Sequence, residues 1–206
     1  MSSATPPTPR TRRRRMSRAE RERQMLDVAE EVFGERGYQA TSMDEIAERC
    51  GVSKPMIYEY FGSKEGLLTA CIARSRAELY EVTLKAMAGV TDPREILERG
   101  MTAYFEFVGS HSRSFTMLLT DPHGGPPAGA AAIQETRRQQ SELIAGVLRT
   151  FAAGLPEPDL AAFTEIIMGA SERLSLWQTG RPEVGARDAA RYMTDFCWNG
   201  LSPYVT

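Results

Sequence analysis

The chain has 206 residues, 42% hydrophobic and 25% charged, with 25 basic and 27 acidic side chains. That is ordinary globular composition with enough chain to bury a core, which excludes collagen-like, mucin-like and wholly disordered proteins. The net charge of -2 hides a strong asymmetry: residues 1–24 carry eight arginines against two glutamates, and the remaining residues carry 17 basic and 25 acidic side chains.

Residues 1–16 hold Pro6, Pro7 and Pro9 among Ser, Thr and Arg, and have almost nothing to bury. They read as an unfolded cationic arm built on Arg10, Arg12, Arg13, Arg14 and Arg15, with Arg18 just beyond it. Such an arm suits a phosphate backbone or an anionic surface, or serves only as a solvated tail. No apolar stretch follows these arginines, which argues against a secretory leader. The longest mostly apolar run, Leu143–Leu155, contains Arg149 and is too short to span a bilayer. Three widely spaced cysteines, Cys50, Cys71 and Cys197, form neither a disulfide framework nor a paired metal site. A reducing cytoplasm is the expected compartment.

From Ser17 the period is helical. Met25, Val28, Ala29, Val32 and Phe33 make one apolar stripe, and Gly34 and Gly37 mark its end. Ser42 and Glu45 fit a capping box for a second helix with Met43, Ile46, Ala47 and Cys50 on its apolar face. Gly51 stops it. Ser53 caps a short third helix that tolerates Pro55 in its first turn and ends at Gly62. Ser63 caps a fourth, predicted to run to about Ala88. Two short helices around a tight turn, braced by a longer one, describe a helix-turn-helix or a generic helical corner.

Further helices are predicted over about 93–109, 130–153, 159–179 and 185–201, separated by the Gly/Pro loop at 121–127 and by Pro156 and Pro158. No segment alternates with period two, so the fold class is all-α. His111 and His123 have no metal-spaced companions, and no metal or cofactor is expected. The sequence has no GxSxG, HExxH, P-loop or dinucleotide fingerprint, so an enzyme is not expected.

Residues Gly37–Ala47, Gly51–Phe61 and Ser63–Leu68 together resemble the TetR family of bacterial transcriptional regulators. The resemblance covers about residues 18–68. It implies a helix-turn-helix domain over 17–66 after the arm at 1–16, and a helical ligand-binding and dimerisation domain over 67–206. Ile46, Ala47, Val52, Ile57 and Phe61 would pack the helices and leave Lys54, Pro55, Met56, Tyr58, Glu59 and Tyr60 facing outward. The resemblance implies that Lys54, Pro55 and Met56 face bases. It gives Tyr58, Tyr60 and Lys64 to the DNA backbone, with Ser42 and Thr41 as further contacts. Arginines among Arg12–Arg18 are expected to reach a minor groove, as homeodomain arms do.

A small-molecule effector is expected in the second domain. Its candidate lining is Tyr80, Met87, Met101, Tyr104, Phe105, Val108, Phe115, Met117, Leu118, Met168 and Trp177, with Glu172 as a polar anchor and Arg173 as an alternative. Phe163, Ile166, Ile167, Ala170, Leu174, Tyr192, Phe196 and Trp198 are the expected homodimer interface. The whole reads as a dimeric, ligand-responsive DNA-binding regulator, most naturally a repressor, on a roughly palindromic operator. A helical protein-interaction module using the arm for anionic partners is the rival reading; no membrane partner is expected.

Overall fold

The computed structural model describes residues 16–111 and 127–205. Eight α-helices are present among them: α1 (Arg18–Ala40), α2 (Met43–Cys50), α3 (Lys54–Phe61), α4 (Lys64–Met87), α5 (Pro93–Ser110), α6 (Pro127–Phe151), α7 (Glu157–Thr179) and α8 (Ala186–Leu201). No strand occurs among the described residues. The cationic arm through Arg15, and Phe115, Met117, Leu118 and His123, lie outside them.

Helix ends follow local chemistry. Ser17 and Glu20 form a reciprocal capping box at the start of α1, a Ser-x-x-Glu signal not used in the sequence reading. α1 continues past Gly34 and breaks at Gly37, whose φ of 74° suits glycine; one more turn carries the chain to Ala40. At α2 the expected box does not close. The Ser42 hydroxyl accepts from the Asp44 amide at 3.2 Å, while Glu45 is drawn sideways to Arg49 (2.6 Å) and Arg36 (3.4 Å). Gly51 ends α2 in the left-handed region at φ 65°, its N–H returning to the Ala47 and Glu48 carbonyls. Ser53 precedes α3 without a side-chain capping bond, and Ser63 caps α4 by accepting from Gly66 at 2.9 Å. Asp92 does the same for α5, from Glu95 at 2.7 Å. α6 and α7 begin a turn or less earlier than predicted because proline is tolerated in a first helical turn.

Two apolar cores result. The first joins α1, α2, α3 and the first part of α4 through Met25, Val32, Phe33, Ile46, Ile57, Leu67 and Ile72. The second joins α5, α6, α7 and α8 through Phe105, Leu148, Leu160, Ile167, Met193 and Cys197, with α5 and α8 packed most extensively. α4 serves both halves, since Leu67–Ile72 enter the first core and Leu79 packs with Phe107 and Val108 further along.

A polar clamp ties α1 to the middle of α4. The Arg74 guanidinium donates to Asp27 at 2.7 Å, to Glu30 and to the Arg23 carbonyl, and the Ser75 hydroxyl donates to Glu30 at 3.3 Å. Glu30 is nearly buried, and that desolvation outweighs Arg74 and pushes its carboxyl pKa above the usual range.

Candidate nucleic-acid interface and ligand cavity

α3 is eight residues long and held by few side chains. Ile57 is fully buried in the first core, and Val52, Tyr60 and Phe61 pack against its margin. With that face fixed, the opposite face must point outward. It carries Pro55, Met56, Tyr58 and Glu59, all exposed, with Met56 at 37% and Tyr58 at 39% of their free surface. Together they put an apolar and an aromatic tip at the surface of one helix face.

Lys54 stands at the start of this face. Its ammonium lies 3.0 Å from Asp44 on α2, and that hydrogen-bonded carboxylate raises the lysine pKa. The pair links the two short helices across their turn while leaving both groups in solvent. Ser42, at the start of α2, is exposed, and its hydroxyl hydrogen remains available to a phosphate oxygen.

Thr41 differs from expectation. It is buried, and its hydroxyl donates to the Gly37 carbonyl at 2.7 Å, with the Val32 carbonyl 3.4 Å away. The hydroxyl closes the break in α1 and is turned away from any surface partner. Tyr60 also departs from a free backbone contact. It is half-buried, and the Arg18 guanidinium lies 4.8 Å from its ring centroid, so the pair fastens the start of α1 to the end of α3. Arg18 itself remains exposed.

Lys64 opens α4. Its ammonium sits 4.6 Å from the Tyr38 ring and donates to the Gln39 carbonyl at 3.3 Å. Partial burial lowers its pKa. Tyr38, which the sequence reading gives no role, thus aims the lysine; its signal is an aromatic beside Gly37, where the chain turns. Ser42, Lys54, Met56, Tyr58 and Lys64 are the polar and apolar tips that this half leaves accessible.

In the other half, α4–α8 enclose a cavity of about 140 Å³ with an almost wholly apolar lining. Tyr80, Met87, Met101, Tyr104 and Met168 line it, as the sequence predicts. Tyr104 is deeply buried, which pushes its phenol pKa up, and Ser175 lies 3.5 Å from its hydroxyl. The remaining described candidates lie elsewhere. Phe105 is fully buried against α8 in the second core, and Val108 packs with Leu79 and Phe107. Glu172 takes a two-pronged bond from Arg137 at 3.0 and 2.5 Å and bridges α6 to α7. Trp177 is exposed beneath Arg181, 4.3 Å away, and Arg173 faces solvent. α6 supplies lining that sequence reasoning missed, including Leu143, Ile144, Val147 and Phe151. The signal is the apolar run from Leu143, which the sequence reading weighs only to reject as a membrane span.

Two expected interface residues turn inward: Ile167 is buried, and Trp198 lines the cavity with it. Phe163, Ala170 and Leu174 pack against the second core as partly buried neighbours. Ile166, Tyr192 and Phe196 do face outward, at 52%, 42% and 67% exposure. Among the described residues no group of three or more His, Cys, Asp or Glu side chains is placed to hold a metal ion. No described helix is long and apolar enough to cross a membrane.

Known proteins align with this arrangement in both halves. A family profile described as "Bacterial regulatory proteins, tetR family" matches residues 25–71, and one described as "Tetracyclin repressor-like, C-terminal domain" matches residues 93–200. The HTH-type transcriptional activator FasR of Mycolicibacterium smegmatis is 28% identical over 188 residues, covering 91% of this chain and 86% of its own. The crystal structure of a TetR-like transcriptional regulator from Rhodococcus sp. RHA1 superposes with a TM-score of 0.75 at 34% identity, over 91% of this chain and 99% of that one. PfmR, a TetR family transcriptional regulator from Thermus thermophilus, gives a TM-score of 0.72 at 27% identity, over 86% and 98%.

Proposed function

This chain belongs to the TetR family of bacterial transcriptional regulators, and from that premise we propose that it acts as a homodimeric repressor, cytoplasmic, whose operator complex is broken by a small apolar ligand. Residues 17–66 read the DNA; residues 67–206 bind the ligand and the second subunit. The observation that carries the reading is the exposed face of α3, held outward by the burial of Ile57 on the opposite side. An α-helix of this width enters a major groove, and Met56 beside Lys54 offers apolar contact to a thymine methyl next to a hydrogen-bond donor. Lys64, Ser42 and Tyr58 supply donors to phosphates on either side.

A twofold dimer presents two copies of α3. Its operator is then roughly palindromic, with half-sites about 34–36 Å apart or a multiple of that. The exposed Ile166, Tyr192 and Phe196 on α7 and α8 support a subunit contact there. The ligand must favour one spacing of the two reading helices, since equal affinity for both would shift nothing. The cavity lies against α4, which also enters the first core, and this supports α4 as the link. The arm, rich in arginine at 10 and 12–15, adds contacts in the minor groove.

A second reading, activation instead of repression, is favoured by the similarity to FasR, a transcriptional activator. Selection of bound duplexes from a random pool tests the core of the proposal. A palindromic consensus is expected, and a Met56→Ala, Tyr58→Ala protein should fail to enrich it while melting at the same temperature. Binding without sequence preference at near-physiological salt would favour the interaction-module reading. Transcription from the selected site, with and without the protein, separates repressor from activator. Deleting residues 1–16 should flatten the dependence of affinity on salt; an unchanged slope removes the arm from the interface.

A further inference from the structure

The cavity holds one group that its apolar lining does not explain. Arg76 is the first lining residue met on α4 coming from α3, and it is only half-buried. The neighbouring arginines have carboxylate partners: Arg74 has Asp27 and Glu30, Arg137 has Glu172, and Arg138 has Glu135 and Glu142. Arg76 forms no ion pair or hydrogen bond with any described residue. The acid whose charge it feels, Glu135, is already held by Arg138 at 2.7 and 2.9 Å and by Gln139 at 2.9 Å. A half-buried guanidinium at the edge of an oily hole, with the nearby carboxylate already engaged, keeps its donors free for an anion.

The hollow also has a direction. The enclosed part continues into a wider groove of about 660 Å³ between α4 and α6, past Tyr80, Leu143, Val147 and Phe151, which line both. The hollow alone is smaller than ordinary small-molecule sites, roughly 300–1,000 Å³, so a ligand of that size would extend into this groove, whose rim also carries Arg138 and Glu142. The two spaces follow α4 from Arg76 to Met87, a run of about 16 Å at 1.5 Å per residue. The geometry points to an elongated amphiphile as the ligand: an unbranched hydrocarbon chain lying among Leu143, Val147 and Phe151, with an anionic head, carboxylate or phosphate, paired to Arg76. Gln140, also at the lining, supplies an amide donor to the same head.

This inference rests on the cavity being the effector site, and its test contains no DNA. Calorimetry on the full-length protein, below micelle concentrations, compares dodecanoate, dodecyl phosphate and the neutral dodecanol. At least one anion is expected to bind about tenfold more tightly than dodecanol, the worth of one charge-assisted pair. Whichever anion is tighter identifies the head. Arg76→Gln should bring the anions down to the dodecanol level, and Arg76→Lys should keep part of the difference. Val147→Trp, which fills the hollow, should remove binding of all three. Equal affinity for dodecanol and both anions, no binding by any of them, or anion preference untouched by Arg76→Gln would each overturn the inference. Dodecanoate that binds through Arg76 yet leaves the operator complex intact would instead overturn the effector role, which keeps the two failures distinct.

Discussion

The two halves of the molecule solve opposite packing problems. The first builds its core from α1, the eight-residue helices α2 and α3 and the start of α4, and seals its central side chains: Met25, Val32, Ile46, Ile57 and Leu67 are all completely enclosed. The second leaves an apolar void between its helices, bordered by Leu143, Val147 and Phe151. Close packing fixes one orientation of α3, as a reading element requires. An unfilled interior has neighbours that can move, which is what the proposed ligand response needs.

The largest test of this contrast is a matched pair of truncations. Ile57→Ala removes a side chain from a filled site and is expected to cost about 2–5 kcal/mol of stability and to abolish DNA binding. Leu143→Ala trims a side chain that already borders a void, so about 1 kcal/mol is expected, with DNA affinity kept. Equal losses in chemical denaturation would break the comparison.

Next in size is Phe196→Glu. This ring is 67% exposed in the single chain, so folding should survive within about 0.5 kcal/mol. Under the dimer reading, a carboxylate buried there shifts sedimentation toward the monomer and weakens operator binding about a hundredfold, because two linked contacts become one. A sedimentation profile indistinguishable from wild type would move the subunit contact elsewhere.

The clamp between α1 and α4 allows a pH test. Glu30 has its pKa raised in the fold by desolvation, so the folded chain takes up that proton at a higher pH than the unfolded one. The ionised carboxylate therefore costs stability near neutrality, and that cost disappears as pH falls from neutral through the raised pKa toward the unfolded value. Relative to Glu30→Gln, the wild-type protein should gain stability over that descent and level off below it. A difference between the two proteins that stays constant from pH 7 to about pH 4 contradicts the assignment.

The smallest expected effect belongs to Lys64. Replacing it with Gln should lower affinity for all sequences alike and reduce the slope of log affinity against log salt by about one, with specificity unchanged. A change in base preference would give this lysine a role other than the proposed phosphate contact.

How far each half can be read from residues alone follows from the same contrast. In the first half, glycine and serine punctuate short helices, so Ser42, Gly51, Gly62 and Ser63 place α2, α3 and the start of α4 almost to the residue. Ile57 as the buried side of α3 also follows from its neighbours' polarity. Thr41 escapes such reading because a hydroxyl that repairs a helix break looks, in sequence, like one facing solvent. In the second half, long helices are apolar on more than one side. Tyr104 and Phe105 are adjacent aromatics, yet one lines the cavity and the other is sealed against α8. Periodicity says that both are inside; only the crossing of five helices decides which meets empty space. Ile167 and Trp198 turn inward, against expectation, for the same reason.

α4 has 24 residues, a length of about 36 Å at 1.5 Å per residue. Anchored near one tip by Leu67 and Ile72 and near the other by the walls of the void, it works as a long oar. Tilting it by about 5° sweeps its end through about 3 Å, close to the rise of one base step, about 3.4 Å per strand. Under the proposed function, a barely perceptible swelling of the interior would be magnified into one rung of the DNA ladder.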